Sequence, residues 1–230
     1  VSQPFTYRLH TREEIARMSL EELSTLSPAE LYDISQGDYS YTVTNKAFRL
    51  YRPGDLWWEG ICHGWAQAAV NYPEPSRVIV TNPDGIRVPF GSSDVKGLLS
   101  MHDAYNGKGT YSRIGGKCRV NGKVPGEASA RDGVAPMPSE ADANRIECED
   151  VNPGAFHIVL ANSIGIHSKG IIADVDRFND VWNQPVTSYT SQIHEEIAPS
   201  AADHFVGVAR KVRVKTVMTY GEELQFYSEE

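Results

Sequence analysis

Basic charge, cysteine and long apolar runs are all in short supply in this chain. The 22 lysines and arginines stand against 30 aspartates and glutamates, a formal net charge of −8, and the pI is near 5.4. There is no polybasic run, which argues against binding nucleic acid or an anionic membrane through a basic face. Cationic partners, lysine-rich proteins and divalent metal ions among them, suit this charge better. No apolar stretch nears the roughly 20 residues of a membrane span. The start Val1-Ser2-Gln3-Pro4 has neither a charged leader nor an apolar signal core. The expectation is a soluble chain from which any targeting segment has been removed. At 230 residues there is enough chain for one domain with a full core. We expect a single domain over 1–230, with a helical N-terminal lobe at 1–37 and a core at 38–225.

The three cysteines divide unevenly. Cys118 and Cys148 flank a Gly/Pro/Ala-rich stretch, Asn121 to Asn144, where a disulfide would tie down a loop of little periodicity. That pairing leaves Cys62 as the odd thiol and implies an oxidising compartment. Three reduced cysteines of a cytosolic protein are the competing reading.

Helix start signals crowd the first forty residues. Thr11 with Glu14 and Ser19 with Glu22 fit the capping box, and Ser27-Pro28 offers a cap and a first-turn proline. Helices this short are unstable alone, so the lobe must pack on something larger. Alternating Tyr and Thr from Asp38 to Tyr51 predict an extended segment. Arg77–Val80 reads as a strand, Asn82-Pro83-Asp84-Gly85 as a tight turn and Ile86–Phe90 as the returning strand. Ser92 or Ser93 is expected to cap a helix running through Leu98, Leu99, Met101 and Tyr105. Asn106 to Asn144 reads mostly as loop. Ala155–Asn162 and Ile171–Asp176 read as two strands of an antiparallel hairpin around a polar turn at His167–Gly170. Val206, Val208, Val212 and Val214 mark a later strand with a solvated basic face, and Glu222–Glu230 an acidic end.

One stretch organises the chemistry. Trp57-Trp58-Glu59-Gly60-Ile61-Cys62-His63-Gly64-Trp65 sets a cysteine where a glycine-marked turn gives way to small helix formers, Ala66, Ala68 and Ala69. A helix N-terminus presents N–H groups and partial positive charge, which favours the reactive thiolate. The plainer alternative is a small buried hydrophobe. A nucleophile needs a base and an orienter. His157 on its strand, with Asp174 seventeen positions later and Asp176 as an auxiliary carboxylate, completes the order of a papain-like site. An α+β fold follows, with a papain-like (cysteine-proteinase-like) core and a helical lobe packed on an antiparallel sheet. His63 is the rival base by proximity to Cys62. The backbone N–H of Cys62 is one expected oxyanion donor; Arg52, Trp57, Trp58 and Lys46 are open candidates for the second. Papain-like peptidases carry glutamine six residues before the cysteine, and Leu56 stands there instead.

The hexapeptide Val181-Trp182-Asn183-Gln184-Pro185-Val186 resembles the core of the surface fragment by which plants recognise the Phytophthora transglutaminase elicitor family. Cys62, His157 and Asp174 lie around it in the order that family uses. The family fragment continues Arg-Gly-Phe, whereas this chain has Thr187-Ser188-Tyr189. The resemblance spans about Asp38 to Gln225. It implies a secreted, calcium-using enzyme whose core is like those of papain-like and bacterial Mac-1-type cysteine peptidases. It also implies a host immune receptor for the Trp182 region. This sequence contains no EF-hand loop, so calcium ligands would have to come from scattered oxygens.

Together these residues predict a protein-glutamine γ-glutamyltransferase acting on protein glutamine and lysine side chains, with Trp57, Trp58 and Trp65 as walls against water. A cysteine peptidase with the same residues, and a binding module built on the Trp182 region with Cys62 as core, are the other classes. For Trp182–Val186 itself, the structural expectation is a turn closed by Pro185 with Trp182 as a packing anchor.

Overall fold

The computed structural model describes residues 8–50, 60–107, 112–116, 128–129, 133–134, 151–174, 182–198 and 210–222. Helices mix with antiparallel strands, an α+β composition. The chain divides into two compact units, Val1–Lys108 with Glu223–Glu230 and Gly109–Glu222.

The first unit runs α1 (Arg12–Ile15), α2 (Leu20–Leu23), α3 (Pro28–Ser35), α4 (Thr42–Leu50), α5 (Cys62–Asn71), β1 (Val78–Thr81), β2 (Arg87–Phe90) and α6 (Ser92–Asn106). Its short helices start where local chemistry dictates. Thr11 and Ser19 accept from the amides of Glu14 and Glu22, whose carboxylates accept in return from the two cap amides. Ser27 caps α3 ahead of Pro28. None of these helices is long enough to persist alone; each contributes to a shared core of Ile15, Leu23, Leu31, Ile34, Tyr41, Val88 and Phe90. α2 and α3 lie on β2, so the helical lobe does pack on an antiparallel pair of strands. In that pair Val78 faces Phe90 and Thr81 faces Arg87. Gly85 takes a φ of +82° in the turn, a conformation glycine adopts without cost. Buried Asn82 closes the turn: its Oδ1 accepts from the amides of Asp84 and Ile86, and its Nδ2 donates to Ile34 O and Tyr39 Oη.

Two expectations for this unit are corrected. The predicted extended segment Asp38–Tyr51 is helix α4 from Thr42 to Leu50. Buried Asp33 of α3 reaches across to accept from the amides of Val43 and Thr44 and the Thr44 hydroxyl. Asp38 within the segment accepts from the Thr42 amide, so one local carboxylate and one from another helix together override the strand preference of Tyr and Thr. In α6 the cap falls one residue earlier than Ser92, on Gly91, whose amide donates to Asp94 Oδ2 at 2.7 Å.

The second unit runs β3 (Ala128–Ser129), β4 (Gly133–Val134), α7 (Pro153–Val159) with a π-helical continuation Leu160–Ile166, β5 (Ile171–Asp174), β6 (Asn183–Ile197) and β7 (Lys211–Tyr220). β5, β6 and β7 form an antiparallel sheet with β6 central. The predicted strand Ala155–Asn162 is instead α7 and the start of the π-helical stretch. Asn152 Oδ1 accepts from the amides of Gly154 and Ala155, with Pro153 in the first turn. An eight-residue apolar run has no periodicity that distinguishes strand from helix, so the cap decides. Accordingly, β5 pairs with β6, Asp174 opposite Asn183 and Ile171 opposite Val186, and the predicted hairpin between 155–162 and 171–176 does not form. Asp176, Val206 and Val208 lie outside the described residues.

Trp182–Val186 is not a turn. Asn183–Val186 opens β6, with Pro185 and Val186 buried. Proline lacks the ladder donor, and its place is tolerated where β7 ends: Tyr220 opposes Val186, the register shifts between Val186 and Ser188, and the Pro185 carbonyl accepts from Gly221 N at 2.9 Å. Val214, Thr216 and Met218 of β7 are half-buried, while Arg213, Lys215 and Val217 face solvent, and Val212, expected on the valine face, is exposed as well. The strand thus has the solvated basic face expected of it.

Candidate active site

Cys62 opens α5, the ten-residue helix predicted for it, and is a half-buried thiol in no disulfide. Ile61 stands at the cap with no side-chain bond, and its carbonyl accepts from the amides of Gly64 at 2.8 Å and Trp65 at 2.9 Å. The helix therefore begins on backbone alone, with its positive end at the thiol. What fixes α5 is close approach to α6. A Cβ built on Gly64 would lie 2.2 Å from the Ser100 carbonyl oxygen and 2.6 Å from Ala104 Cβ. Ala66 and Ala68 are buried as expected, whereas Ala69 is exposed and packs no layer. Gly64 is the residue the sequence reading passed over, although its place among small residues was the signal. His63 is exposed on the same helix. Lys46, one candidate second oxyanion donor, sits 5.8 Å over the Tyr105 ring, a cation–π contact. Arg52, Trp57 and Trp58, the other candidates, lie outside the described residues, as do Cys118 and Cys148.

His157 belongs to the second unit, on α7, with its Nε2 3.4 Å from Thr216 Oγ1 of β7. Its ring meets Phe156 edge-on, centroids 6.3 Å apart. Asp174 ends β5, and its Oδ1 accepts from Trp182 N at 3.2 Å, which fixes the entry to β6. The structure thus holds His157 through a hydroxyl, and the cross-strand pairing expected to set Asp174 beside it is absent. Thr216 is a second residue the sequence reading missed. Its signal is the hydroxyl that interrupts the apolar alternation of Val214 and Met218.

Of the hexapeptide, Trp182, Asn183 and Gln184 are half-buried, and Val181 is outside the described residues. The Gln184 side-chain oxygen is buried without a partner among the described residues. No group of three or more His, Cys, Asp or Glu comes together among the described residues to hold a metal ion. No helix among them is long and apolar enough to cross a membrane.

Neither a curated protein nor a solved structure matches the chain. The family model of the transglutaminase elicitor matches residues 55–216, more than half of the chain and a span that includes Cys62, His157 and Asp174, so the chain belongs to the transglutaminase elicitor family.

Proposed function

We propose that the protein is a protein-glutamine γ-glutamyltransferase on a papain-like core, using Cys62 as nucleophile, His157 as general acid and base, and Asp174 as the carboxylate that favours the imidazolium. The observation that supports this reading is the family match over 55–216, within which a thiol stands at the head of α5. The Cys62 thiolate attacks the carboxamide carbon of a protein glutamine, and the first-turn N–H groups of α5 stabilise the oxyanion. His157 gives its proton to the departing ammonia, leaving a thioester. A lysine amine attacks the thioester carbon, His157 takes the proton, and the thiolate leaves an isopeptide crosslink. Water in place of the amine would give glutamate, so the site must keep water out; half-buried Trp65 is one wall. The acidic surface draws in lysine-bearing substrates, and the proposed place of action is outside the cell, as the elicitor family suggests.

The test is incorporation of a labelled primary amine into a glutamine-rich protein, with calcium or with chelator, by the wild type and Cys62→Ser. Incorporation that vanishes in Cys62→Ser supports the transferase. Loss on chelation adds a metal requirement. Cys62-dependent fragmentation without incorporation would replace the transferase with a cysteine peptidase, and absence of both would overturn catalysis by this site.

A further inference from the structure

A row of hydroxyls in the second unit ends on His157. Ser191 of β6 and Thr216 of β7 face each other directly across the sheet, their hydroxyl oxygens 2.9 Å apart. Thr216 Oγ1 in turn lies 3.4 Å from His157 Nε2. Thr216 shares its half-buried face with Val214 and Met218. Valine has nearly the same shape and an equal strand preference, so packing alone does not call for a hydroxyl there. We propose that Thr216 is the positioning residue for the His157 imidazole, and that Ser191 fixes the direction of the Thr216 hydroxyl. The inference rests on the reading of His157 as general base.

The proposed assignment is the one of the two directions open to the hydroxyl row that leaves Nδ1 as the base. His157 Nε2–H donates to Thr216 Oγ1, the Thr216 hydroxyl donates to Ser191 Oγ, and the exposed Ser191 hydroxyl donates to water. Nδ1 is then the basic nitrogen that takes the proton of the attacking amine. In the imidazolium both nitrogens carry protons, and Thr216 still accepts from Nε2–H. The same contact therefore holds the ring while it gives up a proton to ammonia and while it regains one. Asp174, by comparison, spends a lone pair on the Trp182 amide. The α-helix that carries His157 passes directly into the π-helical stretch Leu160–Ile166, a local widening frequent beside functional sites. A ring on such a segment needs an anchor from the sheet.

The experiment compares wild type, Thr216→Val, Thr216→Ser and Ser191→Ala by ring ¹⁵N NMR of His157 and by steady-state amine incorporation. In the wild type the neutral ring is held in its Nε2–H form. Thr216→Val moves the ring shifts toward those of a tautomer mixture and lowers kcat about tenfold, the worth of one hydrogen bond, with KM little changed. Thr216→Ser restores both, and Ser191→Ala, on an exposed position that folding tolerates, gives a smaller change of the same sign. Unchanged ring shifts in Thr216→Val, or in Thr216→Ala should the valine variant not fold, would overturn the contact, and unchanged shifts in Ser191→Ala would remove Ser191 from it. Altered shifts with unchanged kcat would overturn the positioning role. If the wild type incorporates no amine, the function proposed for the site has failed, and the NMR arm still decides whether Thr216 holds the ring.

Discussion

Cys62 owes its setting to backbone: the thiol sits on the first turn of α5 with no side-chain cap ahead of it. Substituting it should therefore remove the chemistry without disturbing the fold. We expect Cys62→Ser and His157→Ala each to cut amine incorporation by several orders of magnitude, since nucleophile and base act as a unit. Asp174→Ala should cost less in rate, and part of its effect should be structural, because its carboxylate also holds the Trp182 amide. Near-normal incorporation by either of the first two variants would remove that residue from the mechanism. A different kind of residue is Asn82, 5% exposed, whose side chain makes four hydrogen bonds, two within the β1–β2 turn and two to Ile34 O and Tyr39 Oη. Asn82→Ala strands those partners and should destabilise the protein by about 2–3 kcal/mol, read from the urea midpoint at unchanged slope.

Among the elements, those whose signals are local were legible in sequence. The capping boxes of α1 and α2, the Ser27-Pro28 start of α3 and the Asn-Pro-Asp-Gly turn all form where they were read. Where a deciding group comes from elsewhere, the sequence was silent: α4 starts on two carboxylates, Asp38 at the Thr42 amide and, from α3, Asp33, ten residues away from Val43. The Asn152-Pro153 cap of α7 was in the sequence and was outweighed by an apolar run that fits either structure. Asp38, which binds Ser40 and Thr42, and Asp84, which binds Arg12 and Tyr39, both have pKa values lowered by those hydrogen bonds. Their contributions are present above the unfolded carboxylate pKa of about 3.9 and are lost as pH falls through the lowered folded values. Asp94 acts oppositely, since burial raises its pKa. Thermal melts should therefore show stability falling below about pH 4, and Asp38→Asn should flatten that fall. An equal slope in the variant would remove Asp38 from the effect. The contact of α5 with α6 makes a sharper case. Gly64→Ala puts a methyl group into the Ser100 carbonyl and should cost at least about 1–3 kcal/mol, lowering the melting temperature. Ala104→Gly should not rescue it, because the nearest obstacle is backbone. A full rescue would mean that side-chain crowding, and not the helix approach, sets the distance.

On the scale of the whole molecule, the family and the mixed α+β character were legible in a few strings of residues, while the setting of the most specific string was not. Trp182–Val186 carried the resemblance, and a turn was expected of it because Pro185 suggests one. In the fold this string enters the central strand of a three-stranded sheet, paired with β5 on one side and reaching the end of β7 on the other. Val186 is wholly buried and its neighbour Pro185 buried as well. A receptor that reads a short peptide by its side chains needs those side chains outside the sheet, and withdrawing them costs the strand pairings and the Val186 burial together. If a host immune receptor reads this segment, as the resemblance implies, that recognition is expected to work on an opened or cleaved chain better than on the native fold. The measurement is binding of an antibody raised against a synthetic peptide containing Trp182–Val186, to native and to urea-unfolded protein on one surface. We expect at least tenfold tighter binding to the unfolded chain. Equal binding to both would mean that the sheet yields this strand at little cost, or that the exposed edges of Trp182 to Gln184 are enough to be read in place.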